Sequence, residues 1–251
     1  MDRAFWITWY DLPESGREEY LSWLHTTYIP RVLERPGVNW AAHYASEHNV
    51  VPLGGGQGRI RHRVLGDVPA GDRYILLFGA AETRPFVEPS PNRFHAELSA
   101  ADRRILERRS GERVNIMLEE SQVLGPESKH ALEDAPPSLC IQLGSFNAAS
   151  YTDEDGIANW YARWRLPSMR SVPGCVRVRT LVSVAGWAKH ACLYEFTSLA
   201  ARNENFVHYE RSHPEMEQWS KDVVKDLLHA PGSPNVAQRI WAASRGSPGH
   251  A

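Results

Sequence analysis

Two hydrophobic periods alternate along the chain. "RAFWITWYD" (3–11) has a strand's two-residue rhythm, and "PESGREEYLSWLHTTYIPRVLE" then places Tyr20, Trp23, Leu24, Thr27 and Tyr28 on one helical face. Ser15 and Glu18 have the spacing of a capping box at its start. Pro36-Gly37 stops the helix and launches "VNWAAHYAS" as a second strand. Beyond an insertion of about 46–71 come a third strand, "DRYILLFGA", and a helix with Phe94, Leu98, Ala101 and Ile105 on one stripe. "ERVNIMLEESQVL" makes the fourth strand, so the order is βαββαβ.

The order recurs further on. "SLCIQLGSF", the helix "DEDGIANWYARWRLPSM", "GCVRVRTLVSV", "KHACLYEFTS", a helix with Met216, Trp219, Val223 and Leu227 facing one way, and "NVAQRIWAA" repeat it. Trp160, Pro167, Pro173 and Gly174 follow Trp23, Pro30, Pro36 and Gly37 at one fixed spacing of 137 (160 − 23), which suggests duplication. The polar, proline-rich "GPESKHALEDAPP" reads as a linker. These signals divide the chain into 1–123, a linker 124–137, a second unit 138–246 and a tail 247–251. A βαββαβ unit folds as a ferredoxin-like α+β layer with both helices on one sheet face. Its bare face needs cover, so the two repeats are expected to pack sheet to sheet.

The phrases that repeat resemble the dimeric α/β-barrel superfamily, including its EthD-like members. Their first helix reads roughly Trp-Tyr-x-x-x-His-x-Pro before Pro-Gly, and their third strand often ends Leu-Tyr-Glu. Trp160, Tyr161, Pro167, Pro173, Gly174 and "LYEF" (193–196) match in the second half, and Trp23, Pro30, Pro36 and Gly37 in the first. The resemblance implies an intramolecular dimeric α/β-barrel. It leaves activity open, because the superfamily includes monooxygenases, isomerases, cyclases and haem enzymes.

Composition narrows the partners. The 251 residues carry a net charge of −2 with Lys and Arg scattered among acids, so no basic footprint for nucleic acid or an anionic membrane is present. No apolar run approaches a membrane span and no leader pattern opens the chain, which gives an expectation of a cytoplasmic protein. Cys140, Cys175 and Cys192 lack metal or redox spacing and read as buried thiols. A small-molecule ligand is expected, and a homo-oligomer is compatible with the fold.

Where the family often has its motif histidine, this chain has Tyr28 and Arg165. Tyr28 donates a proton, and Arg165 suits an anion. His43 shares a strand face with Ala41 and Ala45, small neighbours that leave room for a ligand, so Tyr28 and His43 are the acid–base candidates. His25 falls beside the apolar stripe and is expected to be exposed. Arg165, Arg179 and Tyr194 are the substrate-binding candidates, although Arg177 and Arg179 could equally pair with acids between the repeats. His208 and His213 point about 140° apart on a helix, so no shared metal is expected, while His208 alone could ligate haem. "GGGQGRIRHR" (54–63) lacks the Lys-Ser/Thr ending of a phosphate cradle and reads as a loop whose Arg59, Arg61 and Arg63 could close over a site. Three readings follow: a cofactor-independent lyase, isomerase or cyclase on a hydrophobic, oxygenated, anionic substrate; a haem or oxygen-dependent oxidoreductase; and a non-catalytic ligand-binding protein.

Overall fold

Eight antiparallel strands close on themselves in the computed structural model, which describes residues 2–48, 63–64, 67–209, 213–225, 227–247 and 249. They are β1 (Ala4–Asp11), β2 (Val38–Ser46), β3 (Tyr74–Ala80), β4 (Ser110–Leu124), β5 (Cys140–Asn147), β6 (Cys175–Gly186), β7 (His190–Phe196) and β8 (Asn235–Ser244). Hydrogen bonding runs β2-β3-β1-β4-β6-β7-β5-β8, and β8 pairs with β2 as well as β5. The two four-stranded halves are therefore joined edge to edge along β4–β6 and β8–β2, not stacked as separate layers. Closure satisfies every long edge that an open sheet would leave unpaired.

Alternation along the strands separates a core inside the barrel from cores beneath the helices. Phe5, Ile7, Trp9, Trp40, Tyr44, Leu77, Met117, Leu143 and Leu193 fill the barrel lumen. Outside it, Trp6, Tyr10, Tyr20, Tyr28 and Phe78 pack under the helices of the first half, and Met169, Tyr194, Phe196 and Phe206 under those of the second. Gly79 is needed for this packing, because a Cβ there would fall 2.0 Å from the Trp40 indole.

The first long helix departs from its sequence pattern in an informative way. It starts at Arg17 after Gly16 in the left-handed region, φ 75°, so Ser15 is not its cap. An α-helical stretch, Arg17–Trp23, widens into a π-turn at Leu24–Tyr28 and resumes at Ile29–Leu33. Pro30 has no amide to give the carbonyl four residues back, and the Ile29 amide instead reaches Leu24 O. The wider turn leaves Thr27 exposed while Tyr28 stays buried. An equivalent π-turn, Tyr161–Arg165, precedes Pro167, again 137 positions on (161 − 24). Gly37 and Gly174, at the same spacing, end the two helices with φ of 90° and 79°.

The stripe containing Phe94 breaks into three short helices, Arg84–Val87, Pro91–Ala96 and Ala100–Leu106, because Ser90 and Ser99 each cap a new start. Phe94 and Leu98 are buried but Ala101 is exposed. Between the halves, the linker holds one turn of 3-10 helix, Ser128–His130. No helix among the described residues is long and apolar enough to cross a membrane.

Candidate functional site

The π-turn delivers His25 to the sheet. There His25 Nε2 lies 2.9 Å from His43 Nδ1, and His43 Nε2 lies 2.8 Å from the Tyr10 hydroxyl. Three side chains from β1, the first helix and β2 thus form one continuous hydrogen-bonded chain. His43 is fully buried, whereas His25 is half-buried and lines a cleft of about 560 Å³. Apolar walls come from Pro30, Leu33, Trp241 and Ala243, and Glu34 and Arg245 stand at the exposed rim. Trp241 stacks on His25 with ring centroids 5.0 Å apart and planes 3° from parallel.

Burial sets the charge state. It lowers His25 to about 4 and, with help from the His25 and Arg109 charges, holds His43 well below the usual histidine value. Burial also raises the Tyr10 phenol well above 10. At neutral pH the chain is therefore two neutral imidazoles and a protonated phenol. Each neutral ring has one donor and one acceptor nitrogen, so the proton pattern can run in either direction. In one direction His25 Nδ1 offers a lone pair to the cleft; in the other it offers an N–H.

Behind this chain lies a charged floor. The Arg109 guanidinium sits 4.5 Å from the Tyr10 ring centroid and 5.4 Å from that of Tyr28, donates to the Tyr20 hydroxyl, and pairs with Glu112 at 2.6 Å. Tyr28 belongs to this inner layer. Its hydroxyl meets His95 Nε2 at 2.7 Å, it is 1% exposed, and it does not line the cleft. The two acid–base candidates therefore have different partners: Tyr28 meets His95, while His43 meets Tyr10 and His25. His25, expected at the surface, is the member that meets the cleft. A 3.6-residue period cannot foresee the π-turn that aims it.

In the second half, Arg165 and Tyr194 do come together. Arg165 Nε donates to Tyr194 Oη at 3.1 Å, and its guanidinium carbon lies 4.7 Å from the Phe206 ring centroid. Both residues are buried. Arg179 does not join them, because β6 points it into the lumen, on the other face of the sheet. There it is fully buried against Asp2 at 2.8 Å, Glu195 at 3.5 Å and Glu119 at 3.7 Å, while Arg177 meets Glu195 at 2.8 Å. These are acids from both halves, so Arg179 ties the halves together.

A smaller cleft of about 150 Å³ lies in this half, walled by Phe146, Ile157, Tyr161, Thr180 and His190. The side chain of His208 lies outside the described residues, as do residues 54–62 with Arg59 and Arg61, and the side chain of Arg63. His213 is exposed, with Nδ1 3.3 Å from the Tyr209 carbonyl and its ring against Trp164 and Tyr209. No cluster of three or more metal-ligating side chains occurs among the described residues.

No family model matches the chain, and no curated protein matches it. Solved structures do. An anthrone oxidase-like protein aligns over 98% of this chain and 94% of its own, with TM-score 0.60 and 8% identity. Candidate monooxygenases from Fusobacterium nucleatum and Lactobacillus acidophilus align over 99% and 100% of this chain and 97% and 100% of their own, with TM-scores of 0.55 and 0.54 and identities of 8% and 12%. At such identities the likeness shows the fold, and that fold is the dimeric α/β-barrel type.

Proposed function

We propose that this chain is a cofactor-independent enzyme that moves protons to and from a small, largely apolar, oxygenated substrate held in the cleft beside His25. The observation that carries this reading is the chain of His25, His43 and Tyr10, which starts at the cleft and ends on a buried phenol over Arg109. A neutral imidazole at the cleft accepts a proton from the substrate at Nδ1. The proton on Nε2 passes to His43 Nδ1, so the positive charge rests on a His43 imidazolium whose Nε2–H is donated to the Tyr10 oxygen, and reversal returns a proton to a different substrate atom. That is the requirement of an isomerase, a lyase or a cyclase. Arg245 at the rim suits an anionic group on the substrate. The two halves are read as a fused, duplicated unit of EthD-like type, supported by the fixed spacing of the π-turns and helix-ending glycines.

The neighbours' names support a second reading that shares the first step. Removal of a proton from an activated CH2 leaves a carbanion that dioxygen oxidises; the carbon becomes C=O and the second oxygen atom leaves in water. The test is exchange of acidic C–H hydrogens of aryl ketones with deuterated solvent, followed by NMR with and without dioxygen. We expect exchange by the wild type in both cases, reduced about 100-fold or more by His25→Ala. Exchange that persists in His25→Ala and in His43→Phe would refute the assignment.

A further inference from the structure

Trp241, the ring stacked on His25, comes from the other half of the chain. It reaches the cleft across the seam where β8 pairs with β2, and a β-bulge aims it there. Arg239 pairs with Tyr44 and Trp241 with His43, so Ile240 is an extra residue in β8. Unbroken alternation from Ala237, a lumen residue, would point Trp241 into the lumen. The bulge turns it to the helix side instead, against the core that contains Tyr10 and Tyr28.

The other seam has the same bulge with a different residue after it. Glu119 pairs with Leu181 and Ser121 with Thr180, which leaves Glu120 extra in β4, and Ser121 lines the second cleft. Ser121 thus stands to Thr180 as Trp241 stands to His43. Closing a seam of this barrel therefore does not require an indole at this place. The second cleft brings Ser121, Ala162 and Thr180 together, and the first half has Trp241, His25 and His43 at the matching places. The indole accompanies the two imidazoles.

A single hydrogen bond at Nε2 constrains the His25 ring weakly, because the Cβ–Cγ torsion of a histidine has broad minima. An indole lying 3° from parallel, with centroids 5.0 Å apart, removes that freedom. We propose that Trp241 is the positioning residue of the proton-transfer site: by stacking, it holds the His25 ring with Nε2 in line with His43 and Nδ1 open to the cleft, a role that rests on the reading of His25 as the acceptor of the substrate's proton.

The ring and the reaction are read separately. The imidazole N–H proton shared by His25 and His43 is followed by NMR in water at pH 7, assigned by its loss in His25→Ala, and solvent exchange of acetophenone at saturating concentration is followed in deuterated buffer. Trp241→Phe, which keeps an aromatic face, is expected to keep the resonance and an exchange rate within about fivefold of the wild type. Trp241→Leu, apolar but without that face, is expected to lose the resonance and about tenfold or more of the rate. A leucine variant that keeps the resonance overturns the proposal whatever its rate, since the indole then does not hold the ring; a wild type without the resonance overturns it equally. Loss of the resonance with an undiminished rate upholds the grip of Trp241 on His25 and refutes the part of His25 in turnover, as does that loss in a protein whose wild type shows no exchange. If Trp241→Leu does not fold, Trp241→Ile takes its place, and failure of both makes the indole a structural member of the seam and overturns the proposal.

Discussion

Lowering the pH should unfold this protein through its buried neutral histidines, and His95 provides the cleanest measure. Its ring is held against Tyr28, Trp6 and Phe94, where burial first and the Arg109 charge second lower it to about 4. In the unfolded chain it titrates near 6.5, so between these values the unfolded state holds the extra proton. Its contribution is therefore complete above pH 6.5 and is lost as pH falls toward 4. At ~1.36 kcal/mol per pH unit, the interval corresponds to about 3 kcal/mol, most of it gone by pH 4.5. His43 acts in the same direction, and His25 does so less strongly because water screens its more open ring. The assay is urea unfolding of wild type and His95→Gln at pH 7 and 4.5, the glutamine keeping a partner for the Tyr28 hydroxyl. We expect the wild type to lose about 2–3 kcal/mol more than the variant across this window. Parallel losses would show that His95 is already solvated in the folded protein and would refute the reasoning.

Further expectations concern the barrel and the relay. Arg179→Met leaves Asp2 and Glu119 facing each other beside Glu195 with one guanidinium fewer, and should cost about 3–5 kcal/mol in urea unfolding; less than about 1 would mean that water reaches the cluster. Gly79→Ala should cost about 1–3 kcal/mol, read as a lower melting temperature, because the added methyl meets the Trp40 indole inside a packed lumen. The acid limb of kcat/KM should fall near pH 4–5, following His25 at about 4, and a limb near 6.5 would place that ring in open water.

The βαββαβ order and most of the buried positions were legible because period and burial are the same signal for strands and for regular helices. The site was less so. Its chain joins Tyr10, His25 and His43 with Trp241 from the last strand, and only closure of the barrel brings β8 beside β2 to place Trp241 against His25. His25 itself was misplaced because the pattern assumes 3.6 residues per turn, whereas Pro30 forces a wider one. Arg179 shows a different limit. Alternation identifies a sheet face but cannot say whether it lines a ligand pocket or a lumen filled with its own acids. Arg165 and Tyr194, two of the three substrate-binding candidates, meet in the fold, yet their burial says nothing of a substrate.

The two clefts provide the sharpest discrimination. At 137 positions beyond His25 and His43 stand Ala162 and Thr180 (162 − 25, 180 − 43), and Phe146 faces His190 across its strand pair as Tyr10 faces Tyr74. The second half therefore has an alanine, a threonine and a phenyl ring where the first has the His25 imidazole at its cleft and the His43 imidazole and Tyr10 phenol behind it. Its own histidine, His190, stacks on Phe146 and lies 3.4 Å from Glu154, so it makes no chain into the sheet. Proton transfer should belong to the first cleft alone. His25→Ala should lower solvent exchange of a bound substrate by about 100-fold or more although the second cleft is untouched, and Thr180→Val with Tyr161→Phe should leave the rate within about twofold. Residual exchange in His25→Ala above about a tenth of the wild-type rate, abolished only by adding the second-cleft changes, would move the chemistry to Tyr161 and Thr180. The imidazole chain would then be a structural hydrogen-bond network, stabilising β1 and β2 without a part in turnover.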